Sequence, residues 1–150
     1  MFYIPVQQLP RTTALRARKT PALPPGLEPF QSPRSAGQYN HRGIAYQRLK
    51  QPGKAIKDFS RAIGEKPGFA AYYNRGNAYF DLRRYRKAVA DYGAAIRLDP
   101  KRYQPYSNRG YAYEKLRRRA SAIGDFRKVL QLSPNHRGAA QGLKRLKARP

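Results

Sequence analysis

The sequence predicts an all-α solenoid made of three helix-turn-helix repeats and a capping helix. The first observation behind this prediction is a pattern of small and apolar residues that recurs after 33 and then after 34 residues. The second is a constant internal spacing, because in every copy a glycine precedes an alanine by 12 residues and a proline by 24. Repeats of this length are typical of proteins that stack one helical unit on the next. The glycines are Gly43, Gly76 and Gly110.

Each copy contains two stretches of apolar residues with helical spacing, separated by a short polar turn. A further helix is predicted over 137–148, with Asn135 as its N-cap, because its apolar residues form one stripe beside basic ones. Residues 1–35 hold seven of the 13 prolines and are predicted to be disordered or extended. The predicted helix pairs are 37–50 with 53–65, 69–82 with 85–98, and 103–116 with 119–132.

The repeated glycines fall in the middle of the first helix of each copy. A glycine there costs about 1 kcal/mol relative to alanine. Because this cost recurs in every copy, we predict that a neighbouring helix passes too close to each glycine for a side chain to fit.

Counted from Ala36, Phe69 and Tyr103 as position 1, the copies share residue types at positions 4, 8, 11, 20, 24, 27 and 32. In these positions they resemble the tetratricopeptide repeat (TPR) family over residues 36–134. The resemblance implies a right-handed superhelix whose first helices line a concave face. It also implies one TPR domain over 36–150, with repeats at 36–68, 69–102 and 103–136.

Charge and composition limit the function further. The chain has 32 lysines and arginines against eight aspartates and glutamates, a formal net charge of +24. Such a field favours polyanions without choosing among nucleic acid, anionic lipid and acidic protein. There is no cysteine for a disulfide, a thiolate nucleophile or a metal. No signal-peptide core or membrane-spanning run is present, so a cytoplasmic location is favoured.

No set of nucleophile, base and electrophile can be assembled from the sequence, which therefore predicts no enzyme and no catalytic residues. His41 and His136 have no acidic residue near them at metal-ligand spacing. Neither a metal site nor a cofactor is predicted.

Every copy has an arginine and an aspartate, 16 residues apart, where the TPR family usually has apolar residues at positions 7 and 23. We predict that these residues form ion pairs between the paired helices, worth about 0 to 1 kcal/mol each if partly exposed. The alternative is two independent surface charges. The predicted pairs are Arg42 with Asp58, Arg75 with Asp91, and Arg109 with Asp125.

The concave face implied by the resemblance carries asparagines and aromatic residues. An asparagine can bind both polar groups of an extended peptide backbone, and an aromatic ring offers flat apolar contact. The alternative is that these are ordinary solvated helix residues. The predicted peptide-binding residues are Asn40, Tyr73, Asn74, Asn77, Phe80, Asn108 and Tyr111.

Some TPR domains hold the C-terminal carboxylate of a partner between two asparagines and several basic residues. Asn77 and Asn108 match the asparagines of that motif. Tyr73, Gly138 and Gly142 stand where basic residues are required. The resemblance therefore does not extend to a complete carboxylate clamp.

Basic residues concentrate at the turn between the two helices of each copy. Stacked repeats would align these turns into one line of charge, here named the basic ridge, which could follow phosphates or an acidic protein. The alternative is an arginine-biased composition on a solvated edge. The ridge consists of Arg48, Lys50, Lys54, Arg83, Arg84, Arg86, Lys87, Lys115, Arg117, Arg118 and Arg119.

The leading hypothesis is a non-catalytic scaffold that binds a peptide or a partner protein, including an acidic one, on the concave face. A second hypothesis is binding of nucleic acid or another polyanion through the basic ridge. A third is that the chain is a piece of a longer array with no independent role.

Overall fold

The computed structural model describes residues 33–147 and contains seven α-helices and no strand in that range. Six helices form three hairpins joined by short turns, and the seventh packs against the last hairpin. The helices are α1 (Ala36–Arg48), α2 (Pro52–Glu65), α3 (Phe69–Asp81), α4 (Tyr85–Leu98), α5 (Tyr103–Lys115), α6 (Arg119–Leu132) and α7 (Arg137–Lys147).

The predicted all-α fold is confirmed, and every helix begins and ends within two residues of its predicted bounds. Most of the predicted extended segment, up to residue 32, lies outside the described residues. The predicted N-cap of α7 is wrong. Because α7 begins at Arg137, the cap position is His136, whose Nδ1 accepts the backbone N–H of Ala139 at 3.0 Å.

The hairpins stack in chain order. The second helix of each hairpin contacts the first helix of the next, and α7 takes that place after α6. The first helices also touch each other, α1 with α3 and α3 with α5. Each hairpin has an apolar cluster centred on one buried ring: Phe59, Tyr92 or Phe126.

The repeated glycines lie against these rings. A Cβ placed on Gly76 would sit 2.7 Å from Cε1 of Tyr92, and one on Gly110 would sit 2.8 Å from Cε1 of Phe126. Such distances are too short for two non-bonded carbon atoms. The two helices of each hairpin therefore pack at a separation that excludes a side chain at the glycine.

Helix α7 packs against the last hairpin through a glycine that lies against an aromatic ring, as the first helices do, but at a different position along the helix. A Cβ on Gly142 would lie 2.7 Å from Cε2 of Phe126, on the opposite edge of the ring from Gly110. Phe126 is therefore enclosed between two glycines, one on α5 and one on α7, and is fully buried.

The arginine and aspartate of each hairpin lie at hydrogen-bonding distance. In all three, the guanidinium donates from Nε and Nη2 to both carboxylate oxygens, at 2.6 to 2.8 Å. The aspartate side chains are only 5 to 8% exposed, so these pairs are far more buried than the exposed-pair estimate assumed. The hydrogen bonds to the carboxylates raise the pKa of all three arginines, against the opposing effect of desolvation.

Each of these arginines also lies between two tyrosines of its own helix. The guanidinium carbon of Arg75 is 5.7 Å from the ring centre of Tyr72 and 5.9 Å from that of Tyr79, and the other two hairpins repeat this arrangement. Residues three before and four after a helical position share its face, so the tyrosines cover the ion pair from both sides. Arg75 additionally donates to Ser60 Oγ at 3.0 Å, which links the second repeat to the first.

Gly76→Ala is expected to lower the free energy of unfolding by about 1 to 2 kcal/mol, because the strain of overpacking the buried Tyr92 ring outweighs the gain in helix propensity. Gly124→Ala is the matched control, since nothing lies within 4 Å of a Cβ at this helical glycine. The free energy of unfolding of the control is expected to rise by about 0.5 to 1 kcal/mol, because alanine is favoured over glycine inside a helix. Urea unfolding measures both, and a gain in stability for Gly76→Ala would contradict the packing role.

Asp91→Ala is expected to cost about 3 kcal/mol of unfolding free energy, because it leaves the largely buried Arg75 guanidinium without its carboxylate. The double variant Arg75→Leu/Asp91→Leu is expected to cost clearly less, since no buried charge remains. Asp99→Ala, which breaks an exposed pair with Arg102, should cost less than about 1 kcal/mol. Urea unfolding of the three variants measures these costs, and a double variant as unstable as Asp91→Ala would argue against the desolvation explanation.

Candidate functional site

A cavity of about 270 Å³ opens between α3 and α5. Four of the seven predicted peptide-binding residues line it, and Tyr92 of α4 and Asp81 at the end of α3 complete the wall. The four are Asn77, Phe80, Asn108 and Tyr111.

A hydrogen-bond network fixes the two asparagines. Asn77 Oδ1 accepts from the Tyr92 hydroxyl at 2.8 Å and from Asn108 Nδ2 at 2.9 Å. Asn108 Nδ2 also donates to the hydroxyl oxygen of Tyr73 at 3.1 Å. Burial raises the pKa of Tyr92, so its hydroxyl keeps its proton and remains a donor.

This network leaves one donor group and one acceptor available. Within residues 33–147, nothing bonds to Nδ2 of Asn77 or to Oδ1 of Asn108. The same residues are immobilised through their other amide atoms, so the available groups are held in place before any ligand arrives.

The aromatic walls are held by neighbouring rings. Phe80 packs edge-on against Tyr85 at 5.2 Å between ring centres, and Tyr111 packs edge-on against Phe126 at 5.1 Å. Both are half-buried, which leaves part of each ring exposed toward the cavity.

The cavity also carries negative charge. Asp81 is exposed and makes no ion pair within the described part of the chain. Nearby on α5, Glu114 receives two hydrogen bonds of 2.7 Å from Arg145 of α7. The Asp81 carboxylate is therefore the unneutralised charge on the cavity wall.

Three of the seven predicted residues do not line the cavity: Asn40, Tyr73 and Asn74. Tyr73 still contacts a lining residue, because its hydroxyl oxygen accepts from Asn108. Asn74 Nδ2 donates to Asn40 Oδ1 at 3.3 Å, which joins α3 to α1 one repeat earlier. Neither residue lines the cavity between α3 and α5.

The positions that a carboxylate clamp would fill with bases are occupied by packing contacts. A Cβ on Gly138 would lie 2.7 Å from the Tyr111 hydroxyl, and Gly142 is pressed against Phe126. At both of these α7 positions, a side chain would therefore meet an aromatic residue of the third repeat.

The residues of the basic ridge are all exposed, and none of them forms an ion pair with an acidic residue of the described range. The second turn lines a cavity of about 380 Å³ together with Leu116, which follows α5 in the third repeat. Its lining residues are Arg83, Arg84, Tyr85, Arg86, Lys87 and Leu116.

Each turn of the ridge has the same backbone conformation. Lys50, Arg83 and Arg117 have φ of 57°, 57° and 58°, in the left-handed region. The N–H of Arg83 donates to the Phe80 carbonyl, and that of Arg84 to the Tyr79 carbonyl, both at 2.8 Å. The other two turns repeat these two bonds, which form the Schellman motif that usually carries glycine at the left-handed position.

Two cavity residues were not among the predicted site residues, Tyr92 and Asp81. The signal for Tyr92 was its hydroxyl, since the other repeats have Phe59 and Phe126 at that position. Asp81 is position 13 of its copy, which the TPR resemblance implies is exposed on the concave face, but it was not chosen as a peptide-binding residue.

Within the described range, no three histidine, cysteine, aspartate or glutamate side chains are grouped to hold a metal ion. None of the helices described is long and apolar enough to cross a membrane.

Family models of the tetratricopeptide repeat match residues 40–85, 69–102 and 103–136. No curated protein sequence matches the chain. Among solved structures, the TPR domain of Arabidopsis OM64 is 32% identical, covering 75% of this chain and 94% of that domain with a TM-score of 0.72.

Two further similar structures contain peptides. The second TPR domain of human RPAP3, in complex with the HSP70 peptide SGPTIEEVD, is 28% identical, with coverage of 76% and 96% and a TM-score of 0.73. The first TPR of Spaghetti (RPAP3), bound to the HSP90 peptide SRMEEVD, is 26% identical, with coverage of 77% and 93% and a TM-score of 0.73. The matched repeats, and a 32% identical domain covered almost completely, show that this chain belongs to the tetratricopeptide repeat family.

Proposed function

We propose that this chain is a non-catalytic scaffold that binds an extended peptide across α3 and α5 on its concave face. The observation that carries the proposal is the available pair of amide groups, Asn77 Nδ2 and Asn108 Oδ1, on residues that line one cavity. A peptide unit offers one acceptor and one donor, which this pair matches.

The walls indicate what the peptide carries. Phe80 and Tyr111 provide apolar surface for one side chain, and their ring contacts reduce the entropy lost on binding. Asp81 disfavours an acidic side chain at this point and favours a basic or hydrogen-bond-donating one.

The similarity to RPAP3 domains that bind HSP70 and HSP90 peptides supports peptide binding by this chain. A terminal carboxylate is not favoured in the same way, because Gly138 and Gly142 stand at the two α7 positions where a carboxylate clamp has basic side chains. We therefore propose that the chain reads an internal stretch of its partner.

Asn77→Ala/Asn108→Ala is expected to weaken peptide binding at least about tenfold, since losing hydrogen-bonding groups costs about 1 to 3 kcal/mol. The peptide is obtained by selecting a random nonapeptide phage library on the full chain, and its affinity is measured by fluorescence anisotropy. Phe80→Ala is expected to weaken binding similarly.

Asn135→Ala removes an exposed asparagine in the turn before α7 and serves as the matched control, with no change in affinity expected. Thermal unfolding by circular dichroism verifies that each variant is folded. Failure to enrich any peptide, or equal binding by the double asparagine variant, would reject the concave-face site.

Amidating the C-terminus of SRMEEVD is expected to change its affinity for this chain by less than about twofold, because no basic residue stands at the clamp positions. Isothermal titration calorimetry with the free and the amidated peptide measures the difference. A loss of tenfold or more on amidation would show that a terminal carboxylate is recognised after all.

A further inference from the structure

We propose that the basic ridge binds single-stranded nucleic acid along its phosphate backbone. The arginines of the ridge form no ion pairs within the described range. The five ion pairs of the described range use Arg42, Arg75, Arg102, Arg109 and Arg145, none of which belongs to the ridge. The eleven ridge cations are exposed. Lys54 and Lys87 lie over the Tyr46 and Tyr79 rings, and none of the eleven is neutralised by an ion pair in the described range.

The backbone of the turns indicates that these cations serve more than the fold. A residue with a side chain in the left-handed region costs about 1 to 2 kcal/mol relative to glycine, which adopts it freely. All three turns nevertheless place a lysine or an arginine there: Lys50, Arg83 and Arg117. Strain that recurs at one position and always carries the same charge is expected where the side chain has a binding role.

The geometry favours a strand of nucleic acid over other polyanions. The hairpins stack in chain order, so their turns and the cations on them follow one another along one edge of the stack. Leu116 of the third repeat lines a cavity with the cations of the second turn. Tyr85 lies in that cavity among four cations, half-buried, and is held edge-on by Phe80. A ring among arginines suits stacking of a base while the guanidinium groups bind phosphates in pairs of hydrogen bonds.

The probe is a fluorescein-labelled 15-mer of uridine, measured by anisotropy with the full chain at several salt concentrations. Arg83, Arg84, Arg117 and Arg118 are changed together to Gln. The matched control changes Lys57, Arg97, Lys101 and Arg127 to Gln, which removes the same charge from exposed positions outside the ridge. The affinity of the ridge variant for the oligonucleotide is expected to fall at least about tenfold, and the slope of log affinity against log salt to become less steep by about 2 to 3. Both changes are expected to be much smaller in the control.

A second arm separates binding from folding. Lys50→Gly/Arg83→Gly/Arg117→Gly is expected to raise the urea midpoint of unfolding, because the turns are relieved of strain, and to lower affinity for the oligonucleotide. A loss of binding in a more stable protein cannot come from unfolding. Unchanged affinity in this variant would overturn the role assigned to the three strained cations.

A third arm identifies the class of polyanion. Tyr85→Leu keeps apolar packing against Phe80 and removes the stacking ring, so it should lower the affinity for the uridine 15-mer several-fold and leave the affinity for a polyglutamate peptide unchanged.

Equal losses of oligonucleotide affinity in the ridge variant and in its control would show that only the net charge of the chain matters, and would overturn the role of the ridge. Stronger binding to polyglutamate or to phosphatidylserine vesicles than to the oligonucleotide would overturn the nucleic-acid assignment. The concave-face peptide is bound by other residues, so its affinity in the ridge variant tests that site separately.

Discussion

The close approach of a glycine to an aromatic ring inside each hairpin is the constraint on which the structure depends. With no side chain on Gly43, Gly76 or Gly110, the second helix can bring its ring against the backbone of the first. This contact sets how the two helices of a hairpin lie, and stacking then sets how α3 and α5 face each other. Tyr92 takes part in both levels, since its ring fills the space beside Gly76 and its hydroxyl holds Asn77 at the cavity. The contact that forms the second hairpin therefore also orients its binding group.

Two groups of arginines in this domain have different physical roles. One group is buried with aspartates and covered by tyrosines, and it would be costly to disrupt because each charge depends on its partner. The other group lies on the ridge without acidic partners, where its field is screened only by salt. The net charge of +24 does not distinguish the paired arginines from the unpaired ones.

The cavity and the ridge are neighbours around the end of α3. Phe80 belongs to the wall of the first and Tyr85 to the second, and their rings touch edge-on. The surfaces nevertheless differ in chemistry, since one presents amides, rings and a carboxylate, and the other presents cations. A TPR scaffold does not by itself define its ligand, so each surface has to be judged by its own residues.

The helices, their order and the repeat could be predicted from the sequence, because helical periodicity and glycine spacing are local properties that survive in any stacked arrangement. The sequence also supplied Asn77, Phe80, Asn108 and Tyr111 as candidates, since the TPR resemblance implies which positions of the first helices lie on the concave face. The pairing of the asparagines could not be predicted: Asn77 contacts Asn108, while Asn74 contacts Asn40. The same holds for the presence of Asp81 and Tyr92 in the cavity wall and for the packing of Gly142 on Phe126. These contacts join different helices, and they depend on the distance and rotation between repeats, which no periodicity along the chain encodes.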